Sequence, residues 1–220
     1  MNIDFSSTIP YIPYILKGII VTLQIALVGA FFGTLIGLVL SFITSKKNFL
    51  SVFFGFFIDF FRGTPLLFQL ALFHYGISQI IPGFVPNMFT SAFIIFSLNS
   101  AAYLSEILRA GIQSIDKGQI EAAKSLGVHK RDIALFITIP IALKNVLPAI
   151  INEFITLTKE TSVASFIGVS ELMRRYEIVS GTIFRSLEPL LLIGLAYYGL
   201  NKILSISGKY LEGKLNYDQR

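Results

Sequence analysis

Glu153, Thr156 and Glu160 stand at i, i+3 and i+7, so a helix through them carries two carboxylates on one face. The residues around them are apolar. A carboxylate that has lost its water gains most from a cation that takes the water's place. Two readings stand side by side: a site for a cationic ligand, or neutralisation by Lys144, Lys159 or Arg62. Asn145, Asn152 and Lys159 form a second polar stripe on the same stretch. Asn99, Tyr103 and Glu106 repeat the pattern at i, i+4 and i+7. Polar groups in hydrocarbon are costly, so that face should look into a helix bundle or a wet cavity. Glu106 and Arg109, three apart, are placed to neutralise each other. Thr161 and Ser162 add hydroxyls at an expected helix start, where free N–H groups suit a carboxylate. A zwitterion with an extra positive charge would find partners at both ends among Asn99, Tyr103, Glu153, Glu160, Thr161 and Ser162.

Composition says what must hold these groups. Of 220 residues 54% are hydrophobic and 14% charged, and the mean hydropathy is +0.71. A soluble domain cannot hide that much apolar surface, so the chain reads as an all-α polytopic membrane protein. Cysteine is absent, which excludes disulfides and thiolate metal sites. His74 and His129 are far apart and form no metal spacing. The formal charge of +5 fits basic loops beside a membrane better than nucleic acid. No nucleophile–base constellation points to a membrane enzyme. The GxxxxGK phosphate loop is missing, so any ATP that drives this chain is hydrolysed elsewhere.

Taken in order, Met1 to Pro13 is mixed, with Pro10 and Pro13 discouraging a regular helix. The first apolar run, about 16–44, lacks a basic leader or cleavage site and reads as a retained span. Gly29, Gly33 and Gly37 lie four apart, followed by Ser41, a smooth strip where another helix approaches closely, in the bundle or in a dimer. Ser45-Lys46-Lys47-Asn48 is a short basic loop. The stretch 49–81 is too long for one straight span and breaks at Arg62-Gly63-Thr64-Pro65. Thr64 is the expected N-cap and Pro65 the first helical residue. Asp59 and Arg62, three apart, are an expected pair. A third span covers about 88–112. A fourth starts at Pro140 and ends near Thr158, with a kink at Pro148. The stretch 170–185 is mixed and carries Arg174, Arg175 and Arg185. The last span covers about 187–206, and Lys209, Lys214 and Arg220 make a basic tail. This gives five spans. The basic loops fall on one side, the cytoplasm, with the N-terminus outside and the C-terminus inside.

Between the third and fourth spans lies KGQIEAAKSLGVHKRDIALFITIPIALKNVLP, whose first half is too charged to cross a bilayer. Ile120, Ala123, Leu126, Ile133 and Phe136 recur at roughly helical spacing, so two short amphipathic helices hinged at Gly127 are expected. Glu121-Ala122-Ala123, Gly127, Ile137 and Ile139-Pro140 resemble the EAA loop of the membrane subunits of ABC importers. That signature is Glu-Ala-Ala, three residues, Gly, nine residues, Ile, one residue, Leu, Pro. Ile139 stands where the family has Leu, a conservative departure. FRGTPLLFQL, NSAAYLSEILRAGIQSIDKGQIEAAKSLG and Lys159-Glu160-Thr161-Ser162 followed by Ile167-Gly168-Val169 are similar to the polar amino acid permeases of that class.

The resemblance covers nearly the whole chain and implies one permease domain, 1–220, of the histidine/glutamine/arginine type in a bacterial cytoplasmic membrane. It implies a coupling loop over about 117–138, with Glu121, Ala122, Ala123 and Gly127 touching an ATPase. The partners it implies are a second permease copy, identical or related, two ATP-binding subunits that hold ATP and Mg, and an extracytoplasmic binding protein. This chain itself would need no cofactor. Glu153 and Glu160 favour arginine, lysine or histidine as the amino acid carried, with glutamine or glutamate as the alternative. A secondary, ion-coupled transporter is the alternative of another class, but it leaves the central loop unexplained.

Overall fold

The computed structural model describes residues 3–46 and 48–217. Lys47 of the expected basic loop and Arg220 of the expected tail lie outside the described residues. A single 3-10 turn (Ile9–Tyr11) and α1 (Ile12–Leu16) lead into α2 (Gly18–Thr44). Then come α3 (Phe49–Gly63), α4 (Leu66–Ala71), a π-helical turn (Leu72–Gly76) and α5 (Ile77–Ile80). The long α6 (Met88–Gln113) is followed by α7 (Lys117–Ser125) and α8 (Lys130–Ile133). A second π-helical turn (Ala134–Thr138) leads into α9 (Ile139–Glu160), a 3-10 segment (Thr161–Ile167), α10 (Leu172–Ile183) and α11 (Leu187–Tyr217).

Among the described residues four helical stretches are long and apolar enough to cross a membrane. They become five when the pair 49–63 and 66–80, bent by 109°, counts as one span. Apart from Ile25 and Leu40, which are buried, many large side chains of α2 face outward: Leu27, Phe31, Leu35, Val39 and Phe42 are exposed. Its small ones, Thr22, Ala26, Gly29, Gly33, Gly37 and Ser41, are buried. That is the reverse of a soluble helix, and it follows from the solvent. Lipid is as apolar as leucine, so contact distance and not burial of bulk decides the seam. The seam lies within the chain, against α6. A Cβ at Gly33 would stand 2.7 Å from Cβ of Ser100, and one at Gly37 3.0 Å from the carbonyl oxygen of Ala101.

The break between α3 and α4 is held by side chains. Pro65 has no N–H, so the last carbonyls of α3 lose a partner. Gln69 supplies it: Nε2 donates to the carbonyls of Phe61 at 2.8 Å and Thr64 at 3.0 Å. Asn99 of α6 donates to Oε1 of Gln69 at 3.0 Å and to the carbonyl of Phe61 at 3.3 Å. Thr64 is not the N-cap of α4. It closes α3, its hydroxyl donating to the Phe60 carbonyl at 2.8 Å, and Pro65 itself holds the cap position. Gln69→Leu should therefore destabilise the purified protein by about 1–3 kcal/mol through an orphaned buried carbonyl. An unchanged thermal midpoint would assign the break to Pro65 alone.

Other boundaries move for local reasons. Pro10 and Pro13 open short helices instead of preventing them, since each occupies a first-turn position whose N–H has no helical partner. The fourth span does not start at Pro140; the helix runs from Lys130 to Ile167. The π-helical turn 134–138 precedes Pro140, where no proton is available for the Phe136 carbonyl. The helix also continues through Pro148. The last helix extends to Tyr217, so Lys209 and Lys214 ride on it and not on a loose tail.

The stretch 170–185 holds α10, capped by buried Glu171. Glu171 accepts from Met173 N at 2.9 Å, Arg174 N at 2.8 Å and the Tyr197 hydroxyl at 2.7 Å. Burial pushes its carboxyl up, and these hydrogen bonds pull it back in part. The arginines here are engaged locally. Arg174 pairs with Glu177 at 2.9 Å, Arg175 donates to the Tyr14 carbonyl at 2.9 Å, and Arg185 pairs with Glu188 and, at 3.8 Å, with Asp4.

Candidate functional site

Two regions carry the polar groups. The first surrounds α9 and α6. Leu157 and Phe96 both meet the face of Gly29, at 3.1 and 3.2 Å from its notional Cβ. Val146 meets Gly111. The two helices therefore run antiparallel, and Glu153, between Val146 and Leu157 along α9, lies at about the depth of Tyr103 on α6. Glu153 and Glu160 are each partly exposed. Neither makes an ion pair with a described residue. The neutralisation of these carboxylates by Arg62 or Lys159 is thus not made as an ion pair.

The other expected groups divide. Asn99 is buried at 3% exposure, and its amide is committed to Gln69 and Phe61. Tyr103 is 37% exposed and lies 5.7 Å beneath the guanidinium carbon of Arg62. Arg62 does not pair with Asp59. It approaches Glu106 at 3.6 Å. Arg109 pairs with the same carboxylate through two nitrogens, Nε at 3.2 Å and the closer Nη2. Thr161 and Ser162 open the 3-10 segment that continues α9 without a break, so the Thr161 N–H is already bonded to carbonyls of α9. Their hydroxyls donate back to the carbonyls of Thr158 at 2.8 Å and Lys159 at 3.0 Å. The free N–H groups expected there for a carboxylate are not available, because the helical run passes through this position.

Gln69 and the Arg62–Glu106 approach were not foreseen from sequence. The signal for Gln69 was an amide inside an apolar run, four residues after a proline. Two cavities lie elsewhere. A groove of about 440 Å³ between α2, α9 and α11 is lined by Phe31, Ile151, Phe154 and Leu204 among others. A smaller one of about 270 Å³ borders Phe61, Gln69 and Leu98. Neither includes Glu153 or Glu160. No cluster of three or more His, Asp or Glu side chains suited to a metal ion occurs among the described residues.

The second region is the link between α6 and α9. Asp116 caps α7, its carboxylate accepting from Gly118 N at 2.7 Å. Helix α7 ends in a left-handed turn at Gly127, φ +75°. Val128 N donates to the Ala123 carbonyl at 3.1 Å and Gly127 N to that of Lys124 at 3.0 Å. This is the Schellman closure, and it needs a residue that accepts positive φ. Ala123 and Ile133 are buried, whereas Leu126 is 84% and Phe136 76% exposed. Glu121 and Ala122 are exposed beside them. A charged segment that displays large apolar side chains has the character of an interaction surface.

The family model described as "Binding-protein-dependent transport system inner membrane component" matches residues 33–217. The chain belongs to this family. It is similar to the arginine transport system permease protein ArtQ of Bacillus subtilis, 46% identical over 217 residues and 98% of each chain. It is also similar to the putative glutamine transport system permease protein GlnP of Rickettsia conorii, 40% identical over 207 residues and 94% of each. Among solved structures, an amino acid ABC transporter with histidines superposes with a TM-score of 0.91 at 35% identity, covering 97% of this chain and 100% of the other. The methionine transporter MetNI, TM-score 0.77 at 19% identity over 94% and 98%, shares the fold. The permease is thus an ABC amino acid permease subunit, a membrane protein of several apolar helices. Its two polar regions fall inside the matched residues.

Proposed function

We propose that this permease forms half of the translocation pathway of an ATP-driven importer for basic amino acids in a bacterial cytoplasmic membrane. The observation that carries the substrate class is the pair of partly exposed carboxylates, Glu153 and Glu160, on a membrane helix with no ion pair to a described residue. In low dielectric such a group holds a cation more strongly than a neutral amide. The likeness to an arginine permease supports the same class, while the likeness to a putative glutamine permease marks the competing one.

The pathway is completed by a second permease, identical or related. Two ATP-binding subunits carry ATP and Mg, and this chain carries neither. An extracytoplasmic binding protein delivers the substrate. The link 117–138 docks on the ATPase through Glu121, Ala122, Gly127 and the exposed Leu126, while Ala123, buried, anchors α7 from behind. The basic loop at Lys46 and the link 117–138 support a topology of N-terminus outside and C-terminus inside, to which Arg174, Arg175 and Arg185 are exceptions held locally by the fold. Alternating access is then a rocking of helix bundles set by closure of the ATPases.

Glu153→Gln tests the substrate class. Arginine binding by the assembled importer should weaken by roughly 10- to 150-fold, the worth of a charge-assisted hydrogen bond of about 1.5–3 kcal/mol. Glutamine binding should change far less. Equal arginine affinity in variant and parent would make Glu153 structural and remove the main support for a basic substrate.

A further inference from the structure

We infer that Arg62 receives the α-carboxylate of the transported amino acid. The inference rests on the reading of the chain as an amino acid pathway. Arg62, Glu106 and Arg109 bring two guanidinium groups to one carboxylate, a net charge of +1. Arg109 takes Glu106 through two nitrogens, so that carboxylate is already matched by a full bidentate partner. Arg62 forms only a longer ion pair with it at 3.6 Å, beyond hydrogen-bond range, so its donors stay unfilled. Its guanidinium makes no hydrogen bond to a described residue and its side chain is 41% exposed. Asp59, one turn earlier on α3, is exposed and makes no ion pair with it.

A cation with unfilled donors in a membrane protein calls for an anion. The planar fork of arginine matches a carboxylate through two parallel hydrogen bonds. The ring of Tyr103, 5.7 Å away, holds this fork on the face of α6. Glu153 lies at about the depth of that same tyrosine. Thr161 and Ser162 cannot serve the carboxylate in its place without giving up the carbonyls of their own helix. Every α-amino acid has this carboxylate. Arg62 therefore holds what all substrates share, and Glu153 reads what distinguishes them.

The test uses the purified importer, assembled with its ATPases and without binding protein. Equilibrium binding of labelled arginine is competed by agmatine, which keeps the guanidinium and lacks the carboxylate. The parent should bind arginine roughly tenfold or more tightly than agmatine. In R62Q the two affinities should converge, through a loss for arginine alone. R62K should retain part of the preference, because it keeps the charge without the fork. If R62Q does not assemble, R62K decides: a preference reduced severalfold supports the inference, and an unchanged one overturns it. Equal binding of arginine and agmatine by the parent also overturns it. Glu153→Gln, in contrast, should weaken both ligands alike. A normal Glu153→Gln profile together with converged affinities in R62Q would sink the basic-substrate reading and leave Arg62 standing.

Discussion

Gly33→Leu should cost the permease its packed state, or at least lower its thermal midpoint in detergent by many degrees. The reason is distance. The notional Cβ at Gly33 falls 2.7 Å from Cβ of Ser100 and 3.2 Å from the Ala101 nitrogen. Backbone cannot yield as a flexible side chain does, so α2 must move off α6. The neighbouring positions, Gly29 and Gly37, are held at comparable range, and the shift would open the whole seam. Overpacking of this kind costs about 1–3 kcal/mol for small increments and more for a full leucine. In lipid the loss is not recovered by burying apolar area elsewhere. Gly194 provides the control, because nothing lies within 4 Å of its notional Cβ. Gly194→Leu should leave the midpoint nearly unchanged. Equal midpoints for Gly33→Leu and the parent would take the strip out of the packing.

Features set by one helix or one short motif were legible in the sequence; features set by a neighbouring helix were legible only in part. The strip at Gly29, Gly33 and Gly37 announced a close approach, because spacing of four fixes a face. Which helix would fill it, one in the same chain or in a second copy, was open until α6 was seen against it. Arg62-Gly63-Thr64-Pro65 announced a break, because proline stops a ladder whatever surrounds it. The capping is not announced in the same way: Gln69 and Asn99 satisfy the freed carbonyls from α4 and α6, and no rule of spacing reaches that far. Arg62 shows the same limit. Asp59 stands at i−3 and satisfies the local rule, yet Glu106 on α6 is the carboxylate it approaches. Thr161 and Ser162 announce a helix start by residue type alone, yet a hydroxyl serves N–H and carbonyl alike. The helix continues before them, so here they serve carbonyls. The face of Glu153 and Glu160 was plain from period alone, while the absence of an ion pair to a described residue needed coordinates.

Gly127→Leu should uncouple the importer without unfolding it. The local cause differs from that at Gly33. Nothing lies within 4 Å of the notional Cβ of Gly127, so the site has room. The strain is in the backbone, at φ +75°, where an L-residue with a bulky side chain costs about 1–2 kcal/mol. Helix α7 has only nine residues and little tertiary packing beyond Ala123. It cannot absorb that cost, and its final turn, Ala123 to Val128, should open. The turn sets the direction in which the chain leaves α7 toward α8, and it presents Leu126 at 84% exposure. If this surface docks on an ATPase, loss of the turn breaks a rigid connection while the membrane helices stay packed. The expected result is substrate uptake reduced by at least tenfold in proteoliposomes, with normal insertion and a nearly normal thermal midpoint. ATP hydrolysis should lose its response to loaded binding protein. Gly127→Asn separates the backbone cause from any side-chain contact, because asparagine visits the left-handed region more readily. It should retain much of the uptake. Full uptake in Gly127→Leu would show that the turn is dispensable and would move the coupling surface elsewhere on the chain.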